Sequence, residues 1–354
     1  MWLIRHPLQA TSHLPLSLGG CFNKLAPTGI TSRTYNTTAT ATAVAMASYT
    51  CKVAMRSPSA KPSEENPKSH HIKNSRGETI KFQNPYPSHV FPPLTVFFPS
   101  LIKEGFFGSK SPKPKLEDKL VRVVKPQFLP SRTASSRLRA TWLGHACYYV
   151  EYPSGLRVLF DPVFEDCCAP VSLSRFKRYT ERPCDIADIP YVDAVVISHS
   201  HYDHLSHPSV LEVTKHHPNA HFFVGLGLEK WFKSCGIKNV TEMDWWDEAE
   251  VSFTPGSTSE ATDTPAAPIQ ATITCLPSQH SSGRTGFDRD CTLWASWAIR
   301  SGTPGKTVWF GGDTGRMSAI PRDRGIPRID RPGTHSDRRL PTSSHVLAHA
   351  RESV

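Results

Sequence analysis

"VVISHSHYDHLSHP", residues 195–208, places His199, His201, Asp203 and His204 within six positions, directly behind the apolar run Val195–Ile197. An extended chain sends alternate side chains to the same side, so His199 and His201 can meet one metal ion while the backbone is still a strand. Asp203 and His204 follow where the chain must turn, because Pro208 and Ser209 mark a helix start, and there they can face a second ion. Two ions about 3.5–4 Å apart make a clamp suited to phosphoester hydrolysis. The chain holds 17 histidines, and single ones such as His216, His217 and His221 read as solvated or packed. Four ligand residues at fixed spacing behind a strand are a different matter.

Around this stretch, short apolar or alternating runs separated by turn residues predict strands. They are "RATWLGHACYYVEY" (139–152), "RVLFDPV" (157–163), "DAVVIS" (193–198), "HFFVGLG" (221–227), "QATITCLP" (270–277), "TLWASWAI" (292–299) and "KTVWFGG" (306–312). Helices are predicted over "PSVLEVTKHH" (208–217) and "GLEKWFKSCG" (227–236), the second stopped by Gly236. The arrangement is a β-rich α/β domain. The polar, turn-rich "PGSTSEATDTPAAP" (255–268) reads as a solvated insertion in a hairpin. His280 in "CLPSQHSSGR" and Asp313 in "VWFGGDTG" both stand just past predicted strands, where ligands converge. Taken singly, His280 serves equally as a surface histidine and Asp313 as an Asx-turn residue. Behind the four-residue motif, a third histidine would complete one ion's protein ligands and a carboxylate could bridge two ions.

The net charge of +10 suggests an anionic partner until its distribution is read. Residues 137–315 hold 15 Lys and Arg against 21 Asp and Glu, so the basicity belongs to the flanks and a nucleic-acid partner for the core is disfavoured. Nine cysteines without a C-x-x-C pair fit neither a disulfide framework nor a zinc ribbon and point to a reducing compartment. Residues 1–65 carry Arg, Ser and Thr with no acidic residue before Glu64, the composition of a mitochondrial transit peptide or a disordered tail. Residues 66–136 form an N-terminal extension that includes the basic, proline-spaced segment 109–136. The longest apolar stretch, "VFPPLTVFFPSLI", is short and cut by Pro92, Pro93 and Pro99, so any membrane contact would be peripheral.

With these residues in view, the chain resembles the metallo-β-lactamase superfamily, through His199-Ser200-His201-Tyr202-Asp203-His204, then His280, then Asp313. Within it, "FQNPYPS", "TWLGHACYYVE", "LFDPVF", "MDWWDE", "LPSQH" and "VWFGGDTG" are similar to the branch that hydrolyses N-acyl-phosphatidylethanolamines in the manner of a phospholipase D. The likeness runs from about Phe82 to Gly315. It implies an αββα sandwich of two mixed sheets and two zinc ions, with His199, His201 and His280 on one, Asp203 and His204 on the other, and Asp313 bridging. The implied reaction is attack of a metal-activated water, oriented by Asp203, on a phospholipid phosphodiester, releasing an N-acylethanolamine and phosphatidic acid.

After "GGDTG" the sequence departs from that family. Residues 316–354 are rich in Arg and Pro, lack apolar periodicity and read as disorder. The family's last ligand, a late histidine on the second zinc, has no counterpart, since nothing around His335, His345 or His349 resembles its site. The domain at 137–315 is therefore expected to be incomplete, with one sheet nearly whole and the other short of its C-terminal strands and helix. Two other readings stay open: a hydrolase of the same fold acting on thioesters or lactones, and a truncated, non-catalytic pseudoenzyme.

Overall fold

The apolar run behind the histidine cluster becomes β7 (Ala194–Val196), an interior strand of a six-stranded sheet. In the computed structural model, the residues described are 49–56, 69–86, 88–89, 122–168, 177–178, 180–255, 267–285, 287–303 and 305–315. The sheet runs in chain order: β4 (Arg139–Gly144), β5 (Cys147–Glu151), β6 (Arg157–Phe160), β7, β8 (His221–Gly225) and β9 (Val240–Met243). From β4 to β6 the pairing is antiparallel, and from β6 to β9 it is parallel. Parallel strands are covered on both faces, which is why "RVLF" and "AVV" are apolar without alternation and wholly buried.

One face is packed by the crossover helices α1 (His207–His216) and α2 (Glu229–Ser234). Val210, Val213 and Phe232 meet Leu159, Val195, Phe222 and Val224 there. The Ser206 side chain caps α1 by accepting from the Ser209 N–H, with Pro208 in the first turn. Gly236, at φ +82°, supplies the left-handed stop after α2.

The other face packs on a second sheet, ordered β1 (Tyr49–Arg56), β10 (Glu248–Pro255), β11 (Ile269–Leu276), β12 (Ser296–Ser301) and β13 (Lys306–Phe310), antiparallel throughout. Its strands alternate as one-sided burial requires, with Ile269, Ala271, Ile273 and Cys275 turned inward. Val158, Phe160, Val196 and Phe223 oppose Val251, Phe253, Ile299 and Val308, and the Phe160 and Phe310 rings stand 4.7 Å apart. Two sheets with helices on an outer face is the metallo-β-lactamase arrangement. Among the described residues the layers are helix, sheet and sheet, and β13 is a sheet edge.

Several elements depart from expectation. Residues 49–56 lie in the stretch expected to be transit peptide or disorder, yet they form β1, paired with β10 along its full length. Tyr49, Cys51 and Val53 join the sandwich core, and that burial compensates the ordering entropy that composition alone judged unaffordable. The hairpin β2 (His71–Lys73) and β3 (Thr79–Phe82) and the strands β9 and β10 were not predicted either. "RATWLGHACYYVEY" is two strands, with the turn at Gly144–Ala146 between them. The expected insertion joins β10 to β11, with residues 256–266 outside the described residues. Residues 1–48, residues 109–121 of the basic segment 109–136 and the Arg/Pro-rich 316–354, with His335, His345 and His349, also lie outside them. Among the described residues the eight cysteines form no disulfide.

Candidate metal centre

The six predicted ligands arrive at one rim of the sandwich. His199, His201, Asp203 and His204 follow β7, His280 follows β11 and Asp313 follows β13, so each stands beyond the C-terminal end of a strand. His199 Nε2 lies 2.8 Å from His201 Nδ1, and His280 Nε2 lies 3.1 and 3.2 Å from those two atoms. Three nitrogens on a tetrahedral ion with bonds of about 2.0–2.1 Å would be about 3.3 Å apart, so this triangle fits one with small adjustment. Burial lowers all three imidazoles below the usual histidine range, that of His280 to about 4, which leaves lone pairs free of protons at neutral pH.

The other three residues form an adjoining group. His204 Nε2 is buried without a hydrogen-bond partner, and the nearest carboxylate oxygens are Asp313 Oδ1 at 3.4 Å and Asp203 Oδ2 at 3.9 Å. A buried, unpaired ring nitrogen aimed between two carboxylates is what a cation would satisfy. Asp313 also reaches the first group, with Oδ2 3.8 Å from His280 Nε2, and so stands between the two. For Asp203 and Asp313, burial works to raise the carboxyl pKa, but the neighbouring histidines outweigh it and both are lowered. The donor set therefore fits two divalent cations.

Two residues outside the predicted ligand set hold the ligand side chains in place. Asp161, at the end of β6, is fully buried; its Oδ2 accepts from His204 Nδ1 at 2.7 Å and from the Ser198 hydroxyl, and Oδ1 accepts from the Ser198 N–H at 2.7 Å. Because the Ser198 hydroxyl donates to Asp161, it can accept from His199 Nδ1 at 2.9 Å, which leaves His199 Nε2 unprotonated for a metal. One carboxylate thus sets the orientation of a histidine in each group. His145, in the β4–β5 turn, places Nε2 3.1 Å from Asp203 Oδ2. Both residues lie within quoted motifs, "LFDPVF" and "TWLGHACYYVE", but a lone Asp before Pro and a lone His after Gly carry no spacing signal.

The remaining motifs act as braces. Asn84 of "FQNPYPS" donates to the His280 carbonyl at 2.6 Å and accepts from the His280 N–H at 3.1 Å, gripping that ligand's backbone from both sides. Asp244 of "MDWWDE" joins His70 at 2.7 Å and His71 at 2.9 Å, tying the β2–β3 hairpin to the sandwich, and the His70 ring stacks on Trp245 at 4.2 Å. Arg284 donates to the carbonyls of Ser200 and Leu205 at 3.0 and 2.7 Å while its guanidinium lies 4.1 Å over the Tyr202 ring. The ligand loop is therefore clasped at both ends and in the middle.

Residues 156–328 match the beta-lactamase superfamily domain, over the same stretch that supplies all six ligands. Over that stretch the chain is similar to the metallo-β-lactamase superfamily, whose fold it shares. It is 34% identical over 242 residues to an N-acyl-phosphatidylethanolamine-hydrolyzing phospholipase D of Caenorhabditis elegans, covering 62% of this chain and 64% of the relative. It is 33% identical over 181 residues to a mitochondrial protein of the same description from Saccharomyces cerevisiae, covering 51% of this chain and 35% of the relative. A metal-dependent hydrolase of Koribacter versatilis is 32% identical over 108 residues, covering 30% and 40%. The chain thus spans less than two thirds of the length of each. These relatives are described as hydrolases, two of them of one phospholipid class and one as metal-dependent.

Proposed function

We propose that this chain is a metallo-hydrolase, a phosphodiesterase that cleaves N-acyl-phosphatidylethanolamine into an N-acylethanolamine and phosphatidic acid, with two zinc ions as its cofactor. The observation that carries the reading is Asp313, standing between a three-histidine group and a carboxylate-histidine group, so that one donor set serves two adjacent cations. Bound there, two ions would make water a nucleophile at neutral pH and offset charge developing on the phosphoryl oxygens. The chain's own residues do the rest. Neutral His199, His201 and His280 present lone pairs, Asp161 fixes ring orientation, and Asp203, half exposed at the mouth, would orient the attacking water.

The substrate class rests on the two relatives named for it and on the motif residues Asn84 and Asp244, which brace the site here. The partner is a phospholipid surface contacted peripherally: among the described residues no helix is long and apolar enough to cross a membrane. A nucleic-acid substrate is disfavoured, because the net negative charge lies in the domain that holds the site. A mitochondrial address is supported by the acid-free N-terminal composition and by the mitochondrial yeast relative.

The test is to load purified chain with zinc and to assay N-acyl-phosphatidylethanolamine in mixed micelles beside a thioester and a lactone. Metal-dependent release of N-acylethanolamine, lost in His199→Ala and Asp203→Ala, is expected. Cleavage confined to the thioester or the lactone would transfer the site to the other hydrolase reading, and no turnover of any substrate by fully loaded protein would leave the pseudoenzyme.

A further inference from the structure

His145 stands against the second group of ligands although no spacing rule in the sequence picks it out. It occupies the turn between β4 and β5 at φ +48°, directly after Gly144 at φ +102°. A positive φ is disfavoured for a residue with a side chain, so a histidine kept there points to a use for its ring. The turn is pinned: Trp142 Nε1 donates to the His145 carbonyl at 2.8 Å. The pinned backbone turns Nε2 inward, 3.1 Å from Asp203 Oδ2, and sets the ring 5.3 Å from that of His204. One ligand atom each from His145, Asp203 and His204 all lie within 4.8 Å of one another.

A hydrogen bond to Asp203 accounts poorly for this arrangement. Both side chains are 41% exposed, and a pair so open to water contributes little, whereas the backbone conformation that delivers it is a standing cost. A cation shared by the same atoms accounts for it better. Two ligands on one ion approach each other to about 3 Å, as these do, and the ring's other nitrogen can remain in solvent.

We propose that His145 is a protein ligand of the second metal ion, joining Asp203, His204 and Asp313 in a set of two imidazoles and two carboxylates. The assignment rests on the two-ion reading above. It gives the "GHA" turn a chemical role and makes the edge of the first sheet part of the site.

Cobalt(II) serves as the probe, since its visible spectrum and stoichiometry report each ion without reference to turnover. Wild-type chain is expected to take up two equivalents. His145→Ala and His145→Gln are each expected to keep the first, which also shows that the variant is folded, and to bind the second at least about tenfold more weakly. Glutamine can still hydrogen-bond Asp203, so recovery of wild-type affinity in His145→Gln alone would make His145 a positioning residue and overturn the proposal. Unchanged affinity in His145→Ala would overturn it too, leaving the two-ion site intact. Uptake of a single equivalent by the wild type would remove the two-ion reading itself.

A measurement on the wild type covers the case in which neither variant folds. Diethyl pyrocarbonate should modify His145 in metal-free protein, and the second equivalent of cobalt should protect it, as read by peptide mass spectrometry. Modification that persists at two equivalents would overturn the proposal.

Discussion

Asp161 and His204 are 43 residues apart in sequence and joined at 2.7 Å in a fully buried contact, one at the end of β6 and the other in the loop after β7. Parallel pairing of those two strands brings them together. Because Asp161 also holds the Ser198 hydroxyl that meets His199, its carboxylate is the common anchor of both ligand groups.

Asp161→Asn should therefore weaken metal binding without touching a ligand. An amide can still meet His204 but no longer fixes its tautomer by charge. The second ion is expected to bind about 10–100-fold more weakly, with a smaller loss for the first, where Ser198 stands between. Competition against a chromophoric chelator measures both, and equal affinity in variant and wild type would show that Asp161 serves packing alone.

The two ions should differ in their response to pH. Burial keeps His199, His201 and His280 neutral, so the first ion displaces no proton across the neutral range. Burial also works to lower His204, but the hydrogen bond to Asp161 and the negative charges of Asp161 and Asp313 override it and raise its pKa, so in metal-free protein the second ion must expel a proton. Second-site affinity should accordingly rise about tenfold per pH unit between pH 6 and 8 while first-site affinity stays nearly flat. Calorimetric titration in buffers of different ionisation enthalpy counts the released protons directly; a count of zero for the second equivalent would contradict this account.

What could be read from the sequence follows from where each signal resides. The strand before "HSHYDH" and the helix after it announce themselves through apolar runs, a serine cap and a proline, all local features. His280 and Asp313 could be named because each follows a strand of its own. β9 and β10 were missed because "VTEM" and "EAEVSFTP" mix acidic and small residues, and their stability comes from neighbours far along the chain, such as Thr274 opposite Glu248. β1 was hidden for a related reason: "YTCKVAMR" alternates correctly, but only its partner β10 turns alternation into burial. Asp161 and His145 acquire their roles from contacts with residues 37 to 58 positions away, and a one-dimensional pattern holds no record of those.

Gly312 is the backbone device that lets Asp313 into the site. Its φ is +55°, and a Cβ built there would lie 2.4 Å from the Ser198 Cβ and 2.8 Å from the Ser198 Oγ. Neither neighbour can yield easily, because the Ser198 hydroxyl and N–H are both held by Asp161. Gly312→Ala should displace Asp313 and the Ser198 hub together, lowering affinity for both ions and cutting turnover of whichever substrate the chain accepts by at least about tenfold. The size of the clash also predicts a loss of stability of about 1–3 kcal/mol. Metal stoichiometry with chemical denaturation measures both, and a variant as stable and as well loaded as the wild type would remove the argument from close approach.

His217, remote from the ligands at the end of α1, gives a prediction about acid stability. Its backbone N–H closes the helix on Val213 at 2.7 Å, and its ring is buried with Nε2 unpartnered. Burial lowers its pKa to about 4, partly opposed by a hydrogen bond to the Ile186 backbone. Between that value and the unfolded one of about 6.5, the unfolded chain binds a proton that the folded chain refuses, so stability falls as pH drops through this window and rises as pH climbs. At 6% exposure the residue is little screened, and a shift of that size corresponds to about 3 kcal/mol lost between pH 7 and pH 4. His217→Gln keeps an N–H for the Ile186 carbonyl and cannot titrate. Urea unfolding of metal-free protein should then show the variant losing about 3 kcal/mol less than wild type over the same interval. Parallel pH profiles for the two would mean that the ring is protonated as readily in the folded chain as in the unfolded one.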